Sequence, residues 1–203
     1  VSNAIRRALD VTVAGVLSVV LLPVILAAAL AVRLSMGPGV LFRQRRLGRD
    51  RRPFDLIKFR TMRHAPAGPW DPSRDHERIT RVGRLLRSTS LDELPSLLNL
   101  LRGDITLVGP RPLPVEYDGR FRTHELVRFD VRPGITGLAQ VRGRNTVDWD
   151  DRLALDAHYV ATRSLVGDVR ILLSTVTVVL GRSGVDSGEG VTMRELPADR
   201  VVP

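Results

Sequence analysis

Cysteine is absent, lysine occurs once, at Lys58, and aromatic residues make up only 4% of the 203 positions. Without thiols there is no disulfide framework, no zinc–thiolate site and no cysteine nucleophile, which suits a cytosol-facing protein. Scarce aromatics argue against a stacking platform for single-stranded nucleic acid. With a single lysine, nearly all of the 31 basic residues are planar guanidiniums suited to bidentate phosphate contacts, although genome base bias produces the same skew. What is present is 43% hydrophobic residues, enough for a core, and a formal charge of +9. That charge points to an anionic partner: nucleic acid, a membrane surface or a phosphorylated substrate.

The charge is unevenly spread. Residues 1–32 carry a net +1, residues 33–63 a net +8, and residues 64–203 hold 19 cations and 19 anions. The basic stretch directly follows the longest apolar run, Val11 to Val32, which is 22 residues without a charge. As one straight helix that run would reach about 33 Å, roughly a bilayer's hydrocarbon thickness. A membrane segment is therefore the leading reading. A cleavable signal peptide competes, with Arg6 and Arg7 as its basic region and Ala29-Leu30-Ala31 as a small-x-small site.

Two features favour a segment that enters the membrane and returns. Pro23 lies near its middle, where it deletes a backbone hydrogen bond and crowds the Val19 carbonyl, so a kink is expected there. Both flanks are basic, and the positive-inside tendency assigns both to the cytoplasmic side. A re-entrant hairpin satisfies both ends. A spanning helix with the Arg6/Arg7 end outside is the ordinary alternative.

The remainder reads as one compact α+β domain, small and mostly helical with short strands. The expected division is a membrane hairpin over 1–36 and a cytosol-facing catalytic domain over 37–203. Val40 to Phe42 and Phe54 to Phe59 flank a polar turn and predict a β-hairpin. Ile79 to Arg87 predicts a helix with Val82, Leu85 and Leu86 on one face. Leu94 to Leu101 predicts another, stopped by Gly103, and Ile105 to Val108 a brief strand. Asp148 to Ala161 predicts an acidic amphipathic helix. Ile171 to Leu180 is too short to span and suits the core or an interfacial position.

Ser90-Leu91-Asp92-Glu93-Leu94-Pro95 is the most informative hexapeptide. Ser-x-x-Glu before an apolar run is a capping box, and acidic residues are ordinary in a first turn. Either helix register puts both carboxylates at the positive end of the dipole, where an aspartate is biased to stay ionised as a nucleophile or metal ligand. Arg111 stands between two prolines, which limits the entropy lost on holding an anion. Pro133-Gly134-Ile135-Thr136-Gly137 and Gly143-Arg144-Asn145 place small residues beside guanidinium, a composition that lets backbone N–H groups approach an anion.

The runs GVLFRQRRLG (39–48), FDLIKFRTM (54–62), RITRVGRLLRSTSLDELPSLLNLLRGD (78–104), LVGPRP (107–112), VRPGITGLAQVRGRN (131–145) and LALDAHYV (153–160) resemble the bacterial sugar transferase family of monotopic phosphoglycosyl transferases. The closing RSGVDSGEGVT (182–192), with no extra N-terminal domain, is similar to the small members, one group of which transfers the phosphate of N,N'-diacetylbacillosamine. The resemblance implies a magnesium-dependent enzyme on the cytoplasmic face of the bacterial inner membrane, anchored by a re-entrant helix and interfacial helices. Asp92 and Glu93 fall on the family's dyad. By that similarity Asp92 attacks the β-phosphate of a UDP-sugar, releases UMP and passes the sugar phosphate to polyprenol (undecaprenyl) phosphate. The dyad is also the implied Mg2+ site, with Arg87 supporting it. Lys58, Arg111 and Arg144 are the implied phosphate contacts, Arg60 is expected to reach from the basic stretch toward the same phosphates, and Gln140, Asn145 and Asp156 match further family positions. Membrane lipid is an expected partner, a homodimer is compatible, and nucleic acid is not expected, because the excess charge sits beside the apolar segment. Leu22 stands before Pro23 where the family commonly has Ser, so no hydroxyl there can bond the freed carbonyl.

Overall fold

A computed structural model describes residues 3–64, 75–142, 148–180, 195–198 and 200. The apolar run is broken. Helices α1 (Asn3–Val20) and α2 (Leu22–Met36) meet at Leu21 with a bend of 65°. The break falls two residues before Pro23, because a proline is tolerated in the first turn of a new helix, where its missing N–H needs no partner. Leu21 closes the last turn of α1 by donating to the Leu17 carbonyl at 2.9 Å, and its own carbonyl accepts from Ile25 N–H at 2.8 Å. No single helix among the described residues is long and apolar enough to cross a membrane; the bent pair together is.

Both ends of this pair rest on the same body. Arg7 donates to the Leu100 and Leu101 carbonyls at 2.6 and 2.5 Å. Asp10, buried despite its charge, accepts from Thr106 Oγ1 at 2.8 Å and from Leu107 N–H at 2.9 Å. At the other end Arg60 donates to the carbonyls of Met36 at 2.8 Å and Gly37 at 3.1 Å. Between these anchors Val16, Val19, Val20, Leu22, Leu26 and Leu30 are exposed. Ala14 packs with Leu56, Leu97, Leu100 and Ile105, and Ala28 and Val32 pack with Phe59 and Leu86.

The expected hairpin is present and longer than the pattern suggested. Strands β1 (Leu41–Leu47) and β2 (Pro53–Phe59) pair antiparallel from Leu41 opposite Phe59 to Leu47 opposite Pro53. After α3 (Asp75–Arg78) comes α4 (Arg81–Ser88), capped by the Thr80 hydroxyl accepting from Gly83 N–H at 3.0 Å. The rotation of α4 corrects one expectation. Leu86 is buried but Leu85 is 59% exposed, because Gly83 lies directly on the Thr61 carbonyl, where a β-carbon would come within 1.9 Å. Close approach at Gly83 turns Leu85 outward.

A 3-10 turn over Leu91–Ser96 leads into α5 (Leu97–Arg102), which Gly103 ends in the left-handed conformation. Strand β3 (Thr106–Val108) pairs parallel with β4 (Gly134–Thr136), and α6 (Leu138–Arg142) follows. Helix α7 (Trp149–Thr162) is capped by the Asp148 side chain accepting from Asp151 N–H at 2.8 Å. Leu47, Leu113, Tyr117, Phe121, Phe129, Leu153 and Leu196 form the largest core cluster around it. Helix α8 (Leu165–Leu180) buries Ile171 and exposes a stripe of Val166, Val169, Leu173 and Val176. The fold is α+β, with short strands in two small sheets among helices.

Candidate active site

Asn99 sets the geometry from which the site is built. Fully buried on α5, it accepts from Ile57 N–H at 3.0 Å and donates to the Asp55 carbonyl at 2.7 Å and to Asp104 Oδ2 at 2.9 Å. One amide side chain thus holds α5, and the 3-10 turn before it, against β2. That places Glu93 over Lys58.

The expected capping box does not form. Ser90 adopts the left-handed conformation with φ +57°, and its side chain caps nothing. Glu93 reaches across the chain instead: its Oε1 accepts from Lys58 Nζ at 2.5 Å and from Arg111 Nη2 at 3.1 Å. Burial pushes the Glu93 carboxyl up, but Lys58 and Arg111 outweigh it and hold the group well below the usual carboxylate range. Burial lowers the Lys58 ammonium against the Glu93 charge that supports it, and Arg111 is raised by Glu93.

Asp92 behaves in the opposite way. Among the described residues it makes no hydrogen bond or ion pair, and burial, then the neighbouring Glu93 charge, raises its carboxyl above the ordinary aspartate value. Lys58, Arg87 and Arg111 oppose that rise. The bias toward ionisation expected from the helix dipole is therefore overridden by burial and a like charge. One carboxylate is committed to two cations, and the other keeps its lone pairs unspent beside them.

Arg111 sits in a stitched loop. Gly109 N–H donates to the Thr136 carbonyl at 2.9 Å, Gly134 N–H donates to the Pro110 carbonyl at 2.9 Å, and a β-carbon on Gly134 would lie 2.1 Å from the Gly109 nitrogen. The glycines of 133–137, whose composition suits backbone N–H groups approaching an anion, thus serve backbone-to-backbone packing, and the Gly134 N–H is spent on a carbonyl. Arg128 donates to the Arg111 carbonyl at 2.8 Å and to Asp156 Oδ2 at 3.0 Å. Asp156 therefore acts on the site through Arg128, and burial raises its carboxyl against the Arg128 charge.

The remaining candidates separate. Arg87 donates to Thr61 Oγ1 at 3.0 Å and lies close enough to Asp92 to favour its charged form. Arg60 is given over to the carbonyls at the end of α2 and to His64 Nε2 at 2.9 Å, away from the dyad. Gln140 donates weakly to the Ile135 carbonyl at 3.4 Å and is not brought to the dyad. Arg144 and Asn145 fall outside the described residues, as does the closing run 182–192.

Sequence reasoning missed Asn99, Arg128 and Arg46. Arg46 lines the same cavity as Lys58, Glu93, Ser96 and Arg111, and is held by the Pro112 carbonyl at 3.1 Å and Gln44 Oε1 at 2.5 Å. Burial, then Arg111, lowers its guanidinium to about 10. Its place on one face of β1 with Gln44, alternating with Arg43 and Arg45, was the available signal. Lys58, Arg111, Arg46 and Arg87 outnumber the two carboxylates, an excess of cations that suits a diphosphate.

For a metal the site offers the dyad; no group of three His, Asp or Glu residues gathers among the described residues. Two carboxylates are too few for an all-protein cage, but they fit a magnesium ion held largely by substrate phosphates.

A half-buried carboxylate pair flanked by cations, on an α+β domain carrying a bent apolar hairpin, defines a candidate phosphate-handling transferase. The bacterial sugar transferase profile matches residues 1–182. The uncharacterized sugar transferase EpsL of Bacillus subtilis is 42% identical over 188 residues, covering 93% of each chain. The UDP-glucose:undecaprenyl-phosphate glucose-1-phosphate transferase of Caulobacter vibrioides is 44% identical over 185 residues, 86% of this chain and 69% of that one. The protein of the same name from Escherichia coli is 37% identical over 186 residues, 87% of this chain but 40% of its own. The chain belongs to the bacterial sugar transferase family, and it is a transferase.

Proposed function

We propose that the protein moves a sugar-1-phosphate from a UDP-sugar to undecaprenyl phosphate through a covalent intermediate on Asp92. The observation that carries this reading is the asymmetry of the dyad: Glu93 is locked between Lys58 and Arg111, while Asp92 beside it makes no hydrogen bond or ion pair among the described residues. The reaction in the names of the Caulobacter and E. coli relatives supports the substrate pair.

In the first step an ionised Asp92 oxygen attacks the β-phosphorus. The new O–P bond forms as the bond from that phosphorus to the bridging oxygen breaks, and UMP leaves with the electron pair. In the second step an oxygen of undecaprenyl phosphate attacks the same phosphorus and Asp92 departs as a carboxylate. Two steps avoid bringing two polyanions together at once. Lys58 and Arg111 hold Glu93 and present their remaining donors to phosphate oxygens, and Arg46 adds a third cation to that wall. Asp92 and the Glu93 oxygen not engaged by Lys58 would hold Mg2+ accompanying the diphosphate, where it supplies charge neutralisation.

The catalytic body lies on the cytoplasmic face of the inner membrane, with α1 and α2 entering and returning. What supports this is that Arg7 and Asp10 at one end, and Met36 and Gly37 at the other, are bound to the same body, whereas a spanning segment would place them on opposite sides.

A panel of UDP-sugars scored for UMP release with undecaprenyl phosphate tests the reaction. Mass spectrometry of the peptide containing Asp92 tests the intermediate: a phosphosugar adduct there is expected, and an adduct elsewhere, or UMP release by Asp92→Asn at the parent rate, refutes the covalent route.

A further inference from the structure

A second cavity, of about 80 Å³, lies where α1 meets β3, α7 and the start of α8, and shares no lining residue with the candidate active site. Five guanidiniums line it: Arg6, Arg7, Arg49, Arg132 and Arg163. The acids that face it do not balance them. Asp10 is spent on Thr106 and Leu107, and Asp130 is exposed at the cavity's edge. Asp168, which accepts from Tyr159 Oη at 2.9 Å, pairs among the described residues with Arg6 alone.

Arg7 is bonded to carbonyls rather than to a carboxylate, and Arg163 Nη2 donates to Asn3 Oδ1 at 2.6 Å. Among the described residues Arg49 pairs only with the exposed Asp50, at 3.7 Å. Arg132 and Arg163 make no ion pair among the described residues, and Arg6 Nε is buried there without a hydrogen-bond partner. Burial and the nearby Arg6 and Arg49 charges lower the Arg163 guanidinium, the effect expected where like charges crowd without an anion between them.

The depth of the cavity narrows the ligand. Arg6, Arg7 and Asp10 are the last charges before the uncharged run from Val11 to Val32. The Arg6–Asp168 pair ties this turn of α1 to α8, whose apolar stripe is exposed. A cavity at that boundary lies at the level of lipid headgroups.

We propose that this cavity binds the phosphate of an anionic phospholipid headgroup, fixing α1 and α8 at the membrane surface away from the active site. The proposal rests on the membrane placement inferred above. Guanidiniums from α1, from the β1–β2 turn, from the segment before β4 and from the end of α7 converge on one phosphate, so the lipid would clasp the membrane hairpin to the catalytic body.

The test uses the full chain. Flotation with phosphatidylcholine vesicles reads the membrane placement, since insertion of an apolar hairpin needs no anion. Native mass spectrometry of detergent-solubilised protein then reads retention of phosphatidylglycerol over phosphatidylcholine. The parent is expected to float and to retain one phosphatidylglycerol. The Arg132→Gln/Arg163→Gln variant is expected to float but lose retention by about tenfold or more, given that hydrogen bonds to charged groups each contribute about 1.5–3 kcal/mol. Arg49→Gln, at an exposed site that folding does not need, is expected to weaken retention as well, whereas Arg43→Gln/Arg45→Gln on exposed β1 positions is expected to leave it unchanged. If the parent fails to float, the membrane placement falls and the lipid with it. Flotation with unselective retention, or equal retention in the Arg132/Arg163 variant, overturns the lipid site alone. Displacement by inorganic phosphate or by undecaprenyl phosphate at equal concentration also overturns it, assigning the cavity to a free anion or to the acceptor.

Discussion

Replacing Asp156 by Asn isolates the contribution of one buried ion pair to both stability and catalysis. Arg128 and Asp156 are 2% and 3% exposed, joined at 3.0 Å through Nη2 and at 3.3 Å through Nε. Asn keeps the volume but removes the charge, leaving a guanidinium buried without its counter-ion. Breaking such a pair from one side costs about 3–5 kcal/mol. At about 2–4 °C per kcal/mol for a chain of this size, the melting temperature is expected to fall by about 6–20 °C. Arg128→Met combined with Asp156→Leu removes both charges, so most of that loss is expected to return. UMP release is not, because Arg128 is also the 2.8 Å donor to the Arg111 carbonyl, and it stacks near the Phe121 and Phe129 rings at 5.4 and 5.1 Å. Calorimetry on detergent-solubilised protein reads stability, and initial UMP release reads the site. A melting temperature for Asp156→Asn within about 2 °C of the parent would refute the buried-pair reasoning, and full activity in the double variant would refute the link to Arg111.

Single-turnover UMP release without acceptor is expected to decline on acidification at a pH above the ordinary aspartate value, because burial and Glu93 raise Asp92 and only its ionised form attacks. Glu93→Gln removes one cause of that rise and leaves Lys58 and Arg111 opposing it, so the acid limb is expected to move to lower pH; a limb that stays or rises contradicts the assignment. The same substitution has a stability signature: Glu93 is lowered in the folded state, so its ionic contribution is complete above the unfolded value near 4.5 and fades as pH falls below it. The stability gap between parent and Glu93→Gln, read by urea titration, is expected to narrow below that pH. Asn99→Leu orphans the Ile57 N–H and the Asp55 carbonyl, at about 1–3 kcal/mol each, and is expected to lower activity along with the denaturant midpoint; a parent-like midpoint speaks against it. Because the chain has no cysteine, Asn3→Cys and Asp50→Cys give single reporters, and an impermeant thiol reagent is expected to label both from the same side of oriented vesicles.

How far the sequence reached depends on the range of the forces involved. The β1–β2 hairpin, the Asp148 cap and the Gly103 stop are short-range features, and each is present. Ser90 to Glu93 carries the same kind of local signal and is misleading, because partners 35 and 18 residues away compete for the Glu93 carboxylate and are charged. A charge-assisted bond to Lys58 and Arg111 outweighs a neutral cap, so the glutamate leaves the helix end and Ser90 takes the left-handed conformation. The glycines of 133–137 look equally suited to an anion or to close backbone contact, and only the position of Gly109 decides. Arg60 lies two residues beyond Lys58, but the carbonyls at the end of α2 claim it, a contact 24 residues away in sequence. The dyad, Lys58 and Arg111 were legible through the family resemblance, while Arg128 and Asn99 act behind those residues and left no motif.

The same distinction resolves the basic stretch at residues 33–63, whose net +8 is a sum over residues in different surroundings. Arg33, Arg43, Arg45, Arg52 and Arg63 are exposed, where each adds about 1 kcal/mol near an anionic leaflet and is screened by salt. Arg46 and Lys58 are turned inward beside Glu93 and Arg111, where burial lowers both groups and an arriving phosphate would restore their charge balance. Arg60 is internal too, but it closes the end of the α1–α2 pair. Strand alternation sorts the first two groups: Arg43 and Arg45 point out from β1 as the adjacent Gln44 and Arg46 turn inward to bond each other. A 7-residue strand therefore carries exposed charge on one face and the cavity-lining Arg46 on the other, so on the proposed membrane placement the anchoring surface and the candidate active site are two faces of one hairpin. If the body sits on the membrane as proposed, any tilt moves Lys58 and Arg46 with Arg43 and Arg45, which would couple how the protein sits to where an acceptor phosphate meets Asp92.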